Sequence, residues 1–453
     1  MNIDFLGHAM LLIRGAEGTI LFDPLFFGAH HEGLYEVYPR RELDIEQLPP
    51  LDAVFLSQAR LDHFDLHSMA LMPRELPIYC AADSLLLACL DGLGFLRIRP
   101  LRNLEPVTIG SLEIIPTPGA ADTIQHGFIV RDGNIVLWNL VDTNPPLSVI
   151  AEIRLRFPEI HLAIVPWQPL QDQLVAIGGA RQFPYEMYGT IISTALQIGA
   201  RSLVPGSCGF RATGHHAWLN HVLFPITRTR FVEDVVRANP AWDSQIFEMD
   251  SGDRIVLTQD VVGVQKNQVE YCKSGPYRWE ELAYRPDDAG CQVNEHRGEL
   301  FSIASSLPFV SAFFEDHMLR IVNQERTLFE GHRRLHVRQQ FDIVFADGRR
   351  SWTWAFSGEH CVCTPGQCAL ADVSSILTAS LLTGLVAGTV SWDFASASGD
   401  YRHYSGIHAV SACGVYAPLG ARLEDPLSVV FGARSTREKW FAEQIERLLT
   451  AGT

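Results

Sequence analysis

Charge is sparse in this chain of 453 residues. Asp, Glu, Lys and Arg make up 19% of it, against about 25% in an average soluble domain. Positive charge is the scarcer sign: 36 basic residues face 52 acidic ones, for a net charge of −16. That balance argues against a nucleic-acid backbone or an anionic membrane as the main partner, while one basic pocket for a small anion remains compatible with it. The nine cysteines are an odd number scattered along the chain and lack the spacing of a disulfide framework. The opening, Met1-Asn2-Ile3-Asp4-Phe5, lacks a basic stretch followed by an apolar core, so no secretory signal is read and the cytoplasm is the expected compartment. The uncharged run from Ser374 to Trp392 contains Ser, Thr and Gly and is flanked by Asp372 and Asp393. It is read as a buried helix followed by a turn, not as a membrane span. Dinucleotide and Walker glycine motifs are missing, and Gly206-Ser207-Cys208-Gly209 does not match the nucleophile elbow. No internal repeat and no low-complexity tract is found.

What is present is a succession of short apolar runs and helical stretches. Ile3 to Ile13 and Thr19 to Phe22 read as a hairpin closing on Asp23-Pro24. Leu51 to Leu56 and Leu162 to Val165 are short apolar runs fit for buried strands. Ala81 to Leu90 is helical in pattern and ends near Gly92 and Gly94. Strands flank Gly110-Ser111 and Asp132-Gly133, the latter a strong hairpin signal. Tyr185 to Gln197 is a helix, followed by a strand at Ser202 to Val204. This order predicts a layered α/β domain over residues 1–261. Beyond it, Tyr271 to Gly298 is polar and irregular. Pro308 to Val322 reads as an amphipathic helix, and Leu335 to Phe345 with Ser351 to Phe356 as a second hairpin around Asp347-Gly348. Ser435 to Leu449 reads as a closing helix with Ser435 and Glu438 as its capping box. A separate α+β domain is expected over residues 262–453.

The chemistry concentrates in Ser57-Gln58-Ala59-Arg60-Leu61-Asp62-His63, directly after the strand at Leu51 to Leu56. The segment resembles the Ser/Thr-His-x-His-x-Asp-His motif of the metallo-β-lactamase superfamily. Asp62 and His63 match it, while Gln58 and Arg60 stand where two histidines are usual. The surrounding order adds to the resemblance. Leu6-Gly7-His8-Ala9 with Ile20-Leu21-Phe22-Asp23-Pro24 is similar to the opening hairpin of the branch holding ascorbate-6-phosphate lactonases and N-acyl-phosphatidylethanolamine phospholipases. Ile114 to Gly119 resembles the segment that carries the third histidine, and Val136 to Thr143 the strand whose Asp bridges two metals. Gly199 to Pro205 resembles the approach to the last metal-binding histidine. Asn139, three residues before Asp142, and the C-terminal extension also resemble the CMP-N-acetylneuraminate hydroxylase branch, although no Rieske ligand pattern is seen.

The resemblance implies a four-layer αββα sandwich and descent from metal-dependent hydrolases. It also marks what has been replaced. Gly119, Ala120, Ala121 and Asp122 hold no histidine where the third is expected, and Ser207 stands in place of the last. Of the metal ligands that the resemblance implies, Asp62, His63 and Asp142 remain. An amide is a poor zinc ligand, and a guanidinium, which never deprotonates in proteins, is none. Arg60 therefore sets a permanent positive charge in the first metal's place, where it can relieve repulsion between carboxylates and grip a carboxylate or phosphate.

Three readings follow. The first is a divergent small-molecule enzyme of specialised metabolism without metal, in which Arg60 binds an anion, His63 acts as acid/base, Asp62 and Asp142 complete the catalytic set, and Gln58, His8 and Ser207 help bind substrate. The second is a hydrolase or oxygenase with one zinc or iron ion on Asp62, His63 and Asp142. The third is a non-catalytic binding or scaffold module. A homodimer is left open. Several other groups have simpler explanations: His215, His216 and His221 as part of a surface loop, His30 and His31 as loop residues near the pocket, Cys361, Cys363 and Cys368 with His360 as ordinary thiols and a loop histidine, and Gln168, Gln171, Gln173 and Gln182 as a polar loop.

Overall fold

The computed structural model describes residues 1–120, 124–170, 175–176, 182–286, 292–417 and 423–451. The chain forms two compact units. The first comprises residues 1–170, 183–284 and 441–453, and the second residues 171–182 and 285–440.

In chain order the strands of the first unit are β1 Asn2–Phe5, β2 Leu11–Arg14, β3 Thr19–Phe22, β4 Ala29–His30, β5 Tyr35–Val37, β6 Arg41–Leu43, β7 Ala53–Leu56, β8 Ile78–Cys80, β9 Ile98–Pro100, β10 Val107–Ile109, β11 Leu112–Pro118, β12 His126–Asp132, β13 Ile135–Asn139, β14 Ile160–Val165, β15 Ala200–Pro205, β16 Phe210–Ala212, β17 Arg254–Leu257, β18 Val262–Gln265 and β19 Cys272–Ser274. One sheet has the order β18-β17-β1-β2-β3-β7-β8-β9, and a second the order β10-β11-β12-β13-β14-β15. One apolar core joins residues of both sheets, among them Ile3, Phe22, Phe55, Ile114, Phe128 and Leu162. A second core packs the other face of the six-stranded sheet, through Trp138 and Ala163, against Ile150 and Ile153 of the helix Leu147–Arg156, Ile191 of the helix Tyr185–Gln197 and Phe231 of the helix Arg228–Ala238. The helices Leu66–Ala70 and Ser84–Gly92 follow β7 and β8. This is an αββα sandwich with a further unit of strands and helices.

Three local differences from the sequence reading matter. The run Ile3 to Ile13 is two antiparallel strands, not one. The Leu6 amide bonds to the Met10 carbonyl across a tight connection, and Gly7 (φ 101°) and His8 (φ 51°) take left-handed conformations there. At residue 261 the chain stays in the first unit: β18 pairs with β17, and β19 pairs with β6. The closing helix begins one residue early, at Arg434, and Glu438 pairs with the Arg434 guanidinium at 2.8 Å instead of closing a box on Ser435.

In the second unit a five-stranded sheet is built on the strands Arg338–Phe345 and Gly348–Phe356, the hairpin expected around Asp347-Gly348. The helix expected from Pro308 starts at Ile303, capped by Ser302, and passes through a π-turn at Phe313–His317 before continuing to Gln324. The uncharged run divides into the strand Val373–Thr378 and the helix Ala379–Ala387, which Thr378 caps and Gly388 (φ 66°) ends. Among the described residues no helix is long and apolar enough to cross a membrane.

Candidate active site

Loops at strand ends of the two sheets carry the site. Asp23 follows β3, Ser57 to His63 follow β7, Asp142 follows β13, and Ser207 and Cys208 follow β15. Parallel pairing of β3 with β7, and of β13 with β14 and β15, brings these ends to one side of the sandwich, where α/β sheets place their ligands. His8 reaches the same place from the β1–β2 connection. Among the described residues, His8, Asp23, Val141, Ser207 and Cys208 all have positive φ, between 43° and 60°. Left-handed backbone costs non-glycine residues energy, most of all a β-branched one such as Val141. Side chains and neighbours hold these loops in place. Asn139 Oδ1 accepts from the Val141 amide at 3.1 Å, and Thr143 Oγ1 donates to the Leu140 carbonyl at 2.7 Å. The enclosed Arg41 guanidinium donates to the carbonyls of both Leu6 and Leu25, tying the His8 loop to the segment after Asp23.

The centre is His63, which is fully enclosed. Its Nδ1 donates to Asp23 Oδ2 at 2.9 Å. Asp23 also accepts from the Ser57 amide at 2.8 Å and the Ser57 hydroxyl at 2.7 Å. With Nδ1 committed to Asp23, the ring aims Nε2 at Asp142 Oδ2, 2.8 Å away, and at Asp62 Oδ2, 3.5 Å away. The Arg60 guanidinium grips Asp62 with two contacts, Nε to Oδ1 at 3.2 Å and Nη2 to Oδ2 at 3.0 Å, and its Nη1 lies 3.8 Å from Asp142 Oδ2. It thus stands between the two carboxylates with its side chain 45% exposed. His8 Nε2 lies 3.4 Å from Asp62 Oδ2 on another side.

The charges follow from these contacts. Burial alone would push the His63 imidazolium toward the neutral form, but the Asp142 and Asp62 charges and the bonds to Asp142 and Asp23 raise its pKa well above the usual range. Burial likewise opposes ionisation of Asp62, and Arg60, His63 and His8 more than offset it, holding that carboxyl well below its usual range. Asp142 is lowered by the charge and hydrogen bond of His63 and by Arg60, again against burial. Burial pushes the neighbouring Cys208 thiol well above its ordinary value, with the Asp142 charge adding to it, so Cys208 is a protonated thiol here.

The structure thus brings Arg60, Asp62, His63, Asp142 and His8 together. Gln58 is buried beside them in sequence, its Nε2 without a partner among the described residues. Ser207 shares a narrow cavity with His8, Trp167, Phe224 and Tyr277. His30 is buried, with its ring 6.2 Å from that of His8. His221 Nδ1 bonds the Ala283 carbonyl, and His215 and His216 lie in the turn Gly214–Leu219. Gln168 brackets the backbone of Ile226 with both ends of its amide. Gln171, Gln173, Ala121 and Asp122 lie outside the described residues. No disulfide joins the described cysteines, and burial raises the Cys361 thiol to about 12 and the Cys363 thiol to about 11. Sequence reasoning gave no role to Asp23, Arg41 or His126. His126 opens β12, donates its amide to the Ser57 carbonyl and is lowered to about 4 by burial.

The donor set can be tested against the two metal ions that the fold implies. The first position does not fit: the Arg60 guanidinium stands there, and the nearby Gln58 offers an amide. The second fits one ion. His8 Nε2, Asp62 and His63 Nε2 lie within 4.8 Å of one another. His8 Nε2 and Asp142 Oδ1 are buried without partners among the described residues, and the Asp23–His63 bond has the form of a carboxylate orienting a metal-binding imidazole.

Several known proteins are similar to parts of this chain. Over 163 residues the chain is 24% identical to a protein of Mycolicibacterium smegmatis named as a Rieske 2Fe-2S iron-sulfur protein; the match spans 32% of this chain and 30% of that protein. Among solved structures, the isothiocyanate hydrolase from Delia radicum gut bacteria is 18% identical, with a TM-score of 0.41, over 56% of this chain and 98% of its own. CmlA, a diiron beta-hydroxylase from Streptomyces venezuelae, is 13% identical, with a TM-score of 0.38, over 56% of this chain and 53% of its own. The family model of the beta-lactamase superfamily domain matches residues 19–206. The match lies, apart from residues 171–182, within the first unit, which has the αββα metallo-β-lactamase fold.

Proposed function

We propose that the first unit is an enzyme acting on a small molecule that bears a carboxylate or phosphate, in a pocket where Arg60 does the work of one metal ion. One observation carries this reading: the guanidinium stands between Asp62 and Asp142 and is still nearly half exposed. A planar fork in that position can receive an anionic group and orient it. Left-handed loops and clustered buried charges are costly to maintain and gather at functional sites, which argues against an idle scaffold.

The geometry gives more support to a one-ion pocket than to the metal-free pocket with His63 as acid/base. The His63 imidazole is fully enclosed, Asp23 engages one nitrogen, and the other faces Asp142 and Asp62. Without metal its proton would reach a substrate only through Asp142. The residues that would hold one ion are Asp62, His63 and Asp142, with the His8 ring beside them. When bound, such an ion supplies a Lewis acid and an activated water or open coordination positions for hydrolysis or oxygen chemistry. In this reading Asp23 keeps the proton on His63 Nδ1 and so fixes which nitrogen faces the pocket. Arg60 draws in the substrate anion and keeps Asp62 ionised.

The test is a thermal-shift panel of phosphorylated and carboxylated small molecules beside their neutral analogues. At least one anionic class should raise the melting temperature of the wild-type protein by several degrees, since a ligand at 100 times its Kd adds about 2.7 kcal/mol. Arg60→Ala should abolish that shift, and Arg60→Lys should weaken it. Equal shifts in Arg60→Ala would remove the basis of this reading.

A further inference from the structure

We infer that His8 is a metal ligand, the replacement for the histidine missing at Ser207, and that it completes a site for a single divalent ion with Asp62, His63 and Asp142. The inference rests on the one-ion reading above and assigns its second nitrogen donor.

Three observations support it. First, the His8 ring is 99% enclosed, its Nδ1 has no hydrogen-bond partner among the described residues, and its Nε2 faces the Asp62 carboxylate at 3.4 Å without a well-formed hydrogen bond. A buried imidazole left unsatisfied costs energy and calls for an explanation, and an ion on Nε2 supplies one. Second, that nitrogen sits 3.4 Å from Asp62 Oδ2, which lies 3.5 Å from His63 Nε2, so three donors from two loops far apart in sequence converge on one point. Third, the backbone is built to bring the ring there. Gly7 and His8 are both left-handed, and a Cβ at Gly7 would meet Ser251 Oγ at 2.6 Å. A Cβ at Gly209 would meet the His8 amide nitrogen at 2.8 Å. The ring then packs edge-on to Phe210 at 5.4 Å and against His63 at 5.1 Å between centroids.

The same geometry sets the stoichiometry. On the other side of Asp62 the Arg60 guanidinium already satisfies the carboxylate. A second dication there would meet a fixed positive charge.

The experiment uses the full chain without a histidine tag, stripped with chelator and titrated with Co(II) by calorimetry and visible absorption, with zinc content measured in parallel. The expected result is one ion per wild-type chain, with Asp62→Ala binding none. His8→Ala should bind about tenfold or more weakly and show an altered cobalt spectrum. His8→Asn tolerates the left-handed backbone and should show the same loss if His8→Ala fails to fold. No ion on the wild-type chain would overturn both the one-ion reading and this assignment, and two ions would overturn the single-ion site. One ion held as tightly by His8→Ala as by wild type, with binding lost in Asp62→Ala, would overturn the His8 assignment alone and leave the one-ion pocket standing.

Discussion

Arg60 and a metal ion solve the same problem differently. Asp62 and Asp142 both approach His63 Nε2 in an enclosed pocket, and two carboxylates so placed repel unless a cation intervenes. A guanidinium supplies one fixed charge in a plane, with donors whose directions are set, whereas an ion supplies two charges and open coordination positions. In the reading proposed above, the pocket uses the first on one side of Asp62 and keeps donors for the second on the other. Asp23 is the residue on which both depend, because it accepts three hydrogen bonds from Ser57 and His63. Asp23→Ala leaves the buried His63 Nδ1–H and the Ser57 donors without an acceptor. Breaking a buried charged pair in this way should cost about 3–5 kcal/mol, measured as a fall in the urea midpoint of the first unit. Asp23→Asn, which keeps one acceptor oxygen, should cost less. Asp62, His63 and Asp142 were legible in the sequence because their neighbours sit in recognisable strand-end segments. The role of Asp23 was not legible: it lies 40 residues from the ring it orients, and no spacing rule links the two. The unsatisfied ring of His8 is visible only once the β1–β2 connection is folded.

At the scale of elements, strands bounded by turn residues were legible and unpatterned apolar runs were not. The Asp132-Gly133 hairpin and the helix Tyr185–Gln197 appear where turn chemistry and 3.6-residue periodicity put them. The run after Ser374 has apolar residues on every side, so neither period wins and strand and helix divide it. The break at Gly7-His8 was hidden because apolar residues flank it on both sides, so the run reads as continuous. Packing also sets the acid response of the second unit. His332, in the helix Glu330–Arg334, lies between Phe329 at 5.7 Å and Phe356 at 5.0 Å, and burial lowers its pKa to about 4. The unfolded chain takes up this proton near pH 6.5 and the folded chain only near 4. The contribution is therefore fully present above pH 6.5 and lost as pH falls toward 4. Wild type should lose up to about 3 kcal/mol more stability than His332→Phe between pH 7 and pH 4, read from denaturant unfolding of the second unit at each pH.

For the molecule as a whole, the anion pocket sits on a chain of net charge −16. If the proposed function holds, an anionic substrate is repelled at long range and held only at short range by Arg60. At about 0.01 M ionic strength the repulsion reaches roughly 30 Å, and at physiological salt only about 8 Å. Association with an anionic ligand should therefore speed up as salt is added from low ionic strength, the reverse of ordinary electrostatic steering, and stopped-flow rates across a salt series would show it. The left-handed residues around the pocket bear on the molecule in another way. Serine at position 207, with φ 60°, occupies backbone space that glycine fills without penalty, and the same holds at several neighbouring loops. Thermal robustness and this constellation therefore pull against each other: a lineage or a laboratory screen rewarded only for heat tolerance would relax these loops before it touched the sheets, and would lose the pocket while the sandwich grew firmer.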